Sequence, residues 1–271
     1  MIQSLNTGVT GLHQFQQRID VIGNNIANVS TVGYKGARAT SSDSFSDTLG
    51  NAVQVGRGAT TAGVSSVFTQ GDLTQTGAPA DMAIDGEGFF TVKDTTTGTI
   101  YATRDGSFTR TSDGYLVTSG GLRLQGFSDA ALTTRGDVKL DATGAVGAAA
   151  GAAVASYSID KQGKVQVALD DGSAVFTRGQ VLLQNFTTPQ ALAKEGNNLY
   201  SNLAAAGPLA QTGAPAAGGL GEIASRYLEL SNVDLTSEFA NLIVAQRGFQ
   251  ANSKIITTSD ELLQEIINLK R

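Results

Sequence analysis

Three stretches carry residue types that could do chemistry. His13 is the only histidine, and an imidazole beside a nucleophile can act as a general base. It stands between Leu12 and Gln14, next to an apolar stripe, and no serine in a sharply built turn can be placed beside it. An interface or surface role is expected for it. Gly86-Glu87-Gly88 has the opening of a phosphate-binding loop, but Thr91 occupies the place of the third glycine and a strand pattern follows where a helix should. A β-turn is the better reading. Asp170-Asp171-Gly172 sets two carboxylates side by side. Neighbours in a turn point apart, and the alternate acids and distant glutamate of a calcium loop are missing, so a polar hairpin tip is expected.

Composition narrows the chemistry further. The chain has no cysteine, which removes disulfides, thiolate nucleophiles and cysteine-ligated metals. A net charge of -5, with no run of Lys or Arg, argues against a polyanion partner such as nucleic acid. No stretch approaches the ~20 apolar residues of a membrane span, so no membrane insertion is expected. The first cation is Arg18 and the early apolar residues are spaced rather than contiguous, unlike a cleavable secretory signal. The expectation is a soluble protein without catalytic residues, cofactor or metal, and not an enzyme.

The elements that position everything else lie at the two ends. Ile2, Leu5, Val9, Leu12, Phe15, Ile19, Ile22, Ile26 and Val29 recur every three or four residues, the period of one helical face. That helix should stop near Ala27 or Asn28, where Asn24, Asn25, Asn28 and Ser30 favour caps over helix interior. Gly33 then permits a sharp change of direction. Near the other end Leu235, Leu242, Phe249, Ile256 and Leu263 recur every seventh residue, with Phe239, Ile243, Ile266 and Ile267 beside them. That is a coiled-coil pattern. A helix over 236–269 would run ~50 Å at ~1.5 Å per residue, long enough to want partners along its whole length.

Between the ends, 34–75 is rich in Ser, Thr and Gly with isolated large apolar residues, and reads as an extended arm lying against something. Runs at 82–84, 88–93, 99–104, 107–110, 114–118 and 122–125 read as strands, punctuated by Asp85-Gly86, Asp105-Gly106 and Asp113-Gly114. Further strands are expected at 155–159, 164–169, 174–177 and 180–184. Val165, Val167 and Leu169 alternate with Gln166 and Ala168, as on a sheet with one buried face. The Ala and Gly tract within 142–155 and the passage 204–221, with Pro208 and Pro215, are expected to be flexible.

The motifs also have a likeness. Val21-Ile22-Gly23-Asn24-Asn25-Ile26-Ala27-Asn28 followed by Thr31-Val32-Gly33-Tyr34-Lys35 closely resembles the N-terminal signature of the bacterial flagellar rod and hook family. Ser231-Asn232-Val233-Asp234-Leu235 and Ile243-Val244-Ala245-Gln246-Arg247-Gly248-Phe249-Gln250-Ala251-Asn252 resemble its C-terminal signature, and Asp81 to Phe90 its β-domain opening. The resemblance implies an axial structural protein exported through the flagellar secretion apparatus without a cleavable signal. Its terminal helices would form the inner layer of a helical tube. The stretch 255–265 with the closing Asn268-Leu269-Lys270-Arg271 is most similar to short hook proteins, so the hook is favoured over the distal rod, which is about this size.

The resulting expectation is an α+β fold: a discontinuous terminal helical coiled-coil domain (1–30 and 227–271), an extended connector arm (31–75), and a mainly antiparallel β-domain (76–226). Self-assembly would rest on Leu5, Val9, Leu12, Ile19, Ile22, Ile26, Leu235, Phe239, Leu242, Phe249, Ile256 and Leu263. The family motif adds Gly23, Asn24, Asn25, Asn28, Gly33, Ser231, Asn232, Gln246 and Arg247. Implied partners are copies of the chain in a helical tube, the rod, hook-cap and hook-filament junction proteins, and the export apparatus. Implied locations are the extracellular hook or the basal-body rod. A secreted enzyme or sugar-binding β-domain with helical tails is the alternative of another class, and it would need a pocket of convergent polar groups that no motif nominates.

Overall fold

A computed structural model describes residues 2–44, 46–49, 53–145, 153–170, 172 and 175–269. The fold is α+β, with an N-terminal helix, a mostly antiparallel β-region and a C-terminal helix. It divides into two compact units.

The first unit comprises Met1–Val29, Lys35–Val67 and Val233–Arg271. It contains α1 (Ile2–Ala27), β1 (Ala37–Asp43), β2 (Ser46–Leu49), β3 (Val53–Gly56), β4 (Ala59–Ser66) and α2 (Leu235–Leu269). Both helices end where their caps predict. The Asn28 side chain donates to Asn24 O and Oδ1 at 2.9 Å, closing the last turn of α1. Asp234 starts α2: its carboxylate accepts from the backbone N–H of Thr236 at 3.0 Å and from the Ser237 hydroxyl at 2.6 Å. These bonds, the Ser237 hydroxyl foremost, hold the Asp234 carboxyl below its usual range.

The arm is more regular than its composition suggests. β1 pairs antiparallel with β4 from Ala37↔Ser66 to Asp43↔Ala59, and β2 pairs with β3, so the arm is a long two-stranded ribbon. A lone ribbon is marginal in water. Here it is fastened to α1. The Gln17 amide oxygen accepts from the Thr61 hydroxyl, and Gly58 passes so close to Thr10 that a β-carbon would collide with its hydroxyl.

The second unit comprises Ser30–Tyr34 and Phe68–Asn232. Its strands are β5 (Leu73–Gln75), β6 (Met82–Asp85), β7 (Phe89–Lys93), β8 (Ile100–Thr103), β9 (Thr109–Arg110), β10 (Leu116–Val117), β11 (Arg123–Phe127), β12 (Arg135–Asp137), β13 (Val154–Ile159) and β14 (Lys164–Leu169). β15 (Phe176–Val181), β16 (Leu183–Phe186), β17 (Ala193–Gly196), β18 (Leu199–Ser201), β19 (Pro208–Gly213), β20 (Glu222–Ser225) and β21 (Tyr227–Glu229) complete it. The main sheet runs β13-β14-β15-β11-β7-β8-β18-β17, with β16 on β7 and β19 on β16. Phe90 and Val92 of β7 join a core with Leu116, Leu124, Val165 and Leu183. Phe89, one residue away, faces the other side with Phe186 and Tyr200. Both faces of β7 are therefore covered, which is why its apolar residues run without alternation.

Two features differ from the sequence reading. The expected break between strands at 174–177 and 180–184 does not occur at Gly179: β15 runs straight through it, and the chain breaks at Leu182 instead. Gly179 is there because the β11 backbone at Phe127 O lies where a β-carbon would be, a close approach and not a turn. The passage 204–221 contains β19, whose Pro208 and Leu209 pair with Phe186 and Asn185. Proline is tolerated there because it opens the strand. Most of the Ala and Gly tract lies outside the described residues, though Ala142 and Ala145 at its edge pack on the core. Asp171 also lies outside them, and its neighbour Asp170 accepts from the Ala153 N–H at 3.0 Å.

Candidate functional site

The two helices form an antiparallel hairpin, fixed at three levels by close contact. A β-carbon on Gly8 would lie 3.2 Å from Ile256 Cγ1, and one on Gly11 would lie 2.9 Å from the Asn252 amide. Gly248 faces the Phe15 ring too closely to carry a side chain. At the far end the Asn25 side chain donates to Glu238 Oε1 at 3.0 Å. It also makes a two-way pair with the backbone of Ala37, donating to its carbonyl at 2.8 Å and accepting from its N–H at 2.9 Å. One buried amide thus ties together the end of α1, the start of the ribbon and the first turn of α2.

The α2 side of this seam follows a heptad. Leu242, Phe249, Ile256 and Leu263 are partly covered, and the positions three residues beyond the first three are Ala245, Asn252 and Ser259. Ala245 is fully buried and Ser259 nearly so, and Ser259 donates to its own helix at Ile255 O, 2.8 Å away. The sequence reading named the large residues and missed the small ones. The signal was the small or polar residue three after each large one, and one of these, Asn252, is the partner that a glycine at 11 requires.

The other named assembly residues divide into two sets. Leu5, Val9, Leu12, Ile19 and Ile26 are half-buried, and Ile22 is buried. Leu235 and Phe239 are exposed, as are Ile243, Val244, Ile255, Leu262, Ile266 and Ile267. Phe239 keeps 49% of its surface in water and Ile266 48%, which is unusual for side chains of this size on a helix already packed on another. The outward face of α1 is polar by contrast, with Gln3, Asn6, His13, Gln16, Asp20 and Asn24 exposed. Of the two helices, α2 alone carries large exposed apolar side chains among the described residues.

The motif residues have separate duties. Gly33 adopts φ +66 and donates to Glu229 O at 2.8 Å. A β-carbon there would lie 2.6 Å from Asp105 N, so both conformation and space demand glycine. Asn232 donates to Thr69 Oγ1 at 2.9 Å, and Ser231 is half-buried. Gln246 and Arg247 are exposed, Arg247 donating to Gln250 at 3.2 Å. Gly23 is exposed with open space beside it, and nothing in the structure explains the glycine.

The second unit carries a feature the sequence did not announce. Glu229 is fully buried and pairs with Arg104 at 3.3 Å while accepting from the Gly71 N–H at 2.9 Å. Arg104 also donates to Gly86 O at 3.0 Å and lies over the Phe89 ring. Gly86 and Gly88, at φ +116 and +130, form the turn into β7, with the Gly86 carbonyl occupied by this arginine. Among the described residues no group of three or more His, Asp or Glu could hold a metal, and no helix is long and apolar enough to cross a membrane.

A helix hairpin with an apolar stripe left on one member, joined to an antiparallel β-unit, defines a class of protein built for contact with other chains. Residues 5–35 match the family described as flagella basal body rod protein, 83–167 the flagellar hook protein FlgE/F/G D1 domain, and 224–269 the flagellar basal body rod FlgEFG protein C-terminal family. The flagellar basal-body rod protein FlgG of Bacillus subtilis (strain 168) is 40% identical across 100% of both chains. That of Caulobacter vibrioides is 35% identical across 99% of this chain and 100% of its own. The flagellar hook protein FlgE of Borreliella burgdorferi is 24% identical, in an alignment of 445 positions covering 100% of both. The chain belongs to the flagellar rod and hook family, and is a structural component of the bacterial flagellum. The sequence reading favoured the hook; these relatives favour its alternative, the rod.

Proposed function

We propose that this chain is a subunit of the distal rod of the flagellar basal body, polymerising as a rigid shaft and performing no catalysis. The observation that carries assembly is the set of large apolar side chains on α2, from Leu235 to Leu269, left in water after α1 has packed. Surface of that extent on a long helix is stabilised by burial between copies. The stronger likeness to full-length rod relatives supports the rod over the hook. In this reading 1–30 and 227–271 form a coiled-coil inner tube, and 76–226 the outer layer, reached through the arm at 31–75. Leu5 to Ile26 and Leu242 to Leu263 set the hairpin, while Leu235 and Phe239 touch other copies. The partners are copies of the chain, the adjoining rod and hook proteins, and an export apparatus that takes the chain without a cleaved signal.

The test is polymerisation of the purified chain, followed by electron microscopy. Straight tubes are expected, and uniformly curved ones would return the reading to the hook. Removing 236–271 should abolish tubes of either kind, and tubes that persisted would remove α2 from the mechanism.

A further inference from the structure

The exposed apolar surface of α2 falls mainly in two patches, with Val244 apart from both on the second flank and Ile267 and Leu269 at the tip. Leu235, Phe239 and Ile243 lie at its start, and Ile255, Leu262 and Ile266 near its end. At ~100° per residue the patches point roughly 150° apart, on opposite flanks of the side that α1 covers. Between them the first flank is polar, with Gln246, Gln250, Ser253 and Thr257. The second patch also outruns its own partner. The contacts of Gly8 with Ile256 and of Phe15 with Gly248 put the first residues of α1 beside about residue 261. The last two turns of α2 therefore project beyond α1.

From this we infer that the projecting end of α2 is a plug for a second copy of this chain, and that its socket is the patch at Leu235, Phe239 and Ile243 of that copy. The inference rests on the assembly reading above and names the contact within it. Two unlike patches on different flanks make a heterologous contact, which leaves a free plug and a free socket on every pair and propagates as an open array. A contact between like patches would close into a dimer and stop. Charge agrees with the assignment. Glu261 and Glu265 edge the plug on the side of α2 turned away from α1, and Arg247 edges the socket on the same side. With Leu262 beside Ile243, Glu265 falls level with Arg247. The like pairing would set Glu261 and Glu265 against their own copies, which repels. Sliding one copy past the next by the roughly 19 residues that set Leu262 beside Ile243 gives an offset of about 28 Å along the helix.

The absence of cysteine makes the test clean. Leu262→Cys and Ile243→Cys chains are prepared separately, mixed under polymerising conditions and oxidised. The expected product is a mixed 262–243 dimer, at least tenfold over the 262–262 and 243–243 species. Dominant 262–262 or 243–243 products overturn the plug and socket. In parallel, Glu261→Lys with Glu265→Lys should cut pelletable polymer at least tenfold, and adding Arg247→Glu should restore most of it. Unchanged polymer in the double variant, or no rescue in the triple, also overturns the inference. If the parent chain forms no polymer at all, the assembly reading fails, and the plug and socket fail with it.

Discussion

Glu229→Gln isolates the buried ion pair of the second unit. The amide keeps an oxygen for the Gly71 N–H and nearly the same volume, but it removes the one carboxylate that, among the described residues, pairs with the Arg104 guanidinium. Arg104 is 3% exposed, and its Nε has no hydrogen-bond partner. The charge is then held by Gly86 O at 3.0 Å and the Phe89 ring, whose attraction is worth about 1–2 kcal/mol. Breaking a buried pair by removing one partner costs about 3–5 kcal/mol, and those remaining contacts favour the lower end. A loss of ~3 kcal/mol in a unit of this size lowers the melting temperature by roughly 6–12 °C. Differential scanning calorimetry reads the shift, and urea denaturation followed by tyrosine fluorescence gives the free energy independently. Combining Arg104→Met with Glu229→Leu should recover most of the loss, because the uncompensated charge is gone. About 1 kcal/mol should remain from the Gly71 N–H left without its acceptor. A Glu229→Gln variant within ~0.5 kcal/mol of the parent would refute the claim that the pair holds the unit, since the desolvated charge would have found another answer.

Three further outcomes follow from particular contacts. Asn25→Ala removes the hydrogen bonds to Glu238 and to both backbone groups of Ala37, and should cost ~2–3 kcal/mol by thermal unfolding. Asn25→Asp should be worse, because it loses both donors and sets a carboxylate against Glu238. Gly248→Leu drives a side chain into Phe15, so the far-ultraviolet helical signal should fall while the near-ultraviolet signal of the β-unit stays, whereas Gly23→Ala should change neither. Acid should loosen the fold in a defined window. The Thr133 hydroxyl and the Thr134 N–H hold Asp129 at about 2, and Asp234 is lowered by Ser237. Burial opposes ionisation of Asp137 and Asp141, but Arg123 and Arg178 outweigh it and leave both lowered. Groups lowered in the folded state stabilise it fully above their unfolded value of 3.8, and the stabilisation is lost as pH falls through their folded values. Melting temperature should therefore be flat in this respect above about pH 5 and fall between pH 4 and 2. A flat profile down to pH 2 would contradict these assignments.

Much of this architecture was legible because its signals are local. Apolar spacing located α1 from Ile2 to Ala27, and the Asn24 to Asn28 cluster marked its end. Asp-Gly punctuation found the turn at Gly86, and alternation found β14, where Val165, Val167 and Leu169 are buried. What stayed hidden depends on distant pairing. β1 and β4 look like a polar linker because each makes its ladder with a segment some twenty residues away and exposes most of its side chains. Gly179 reads as a turn until the backbone of β11 is known to lie against it. Arg104 and Glu229 are 125 residues apart, and nothing local distinguishes them from surface charges. Two short strands, β17 and β18, carry too few apolar residues to register as strands at all.

The seam between the helices also explains why one helix can serve two contacts. Leucine at both heptad positions of α2 would bury more area against α1, at ~1.5–3 kcal/mol for each large side chain fully buried. Ala245, Asn252 and Ser259 give up that stabilisation. In return Asn252 is admitted against Gly11, one step from Gly8 under Ile256, and a single register follows because Asn252 fits only opposite a glycine. A closely spaced hairpin covers a narrow strip of α2, so Phe239, Ile243, Leu262 and Ile266 fall outside it. Residues that fix the hairpin and residues left for other chains are thus different sets on one helix. Substitutions in the first set should change the melting of the free chain, and substitutions in the second should change assembly alone. Ser259→Leu and Ile266→Ser, measured side by side for both properties, separate the two roles. A shared loss of stability and assembly in both variants would mean that the hairpin and the polymer draw on the same surface.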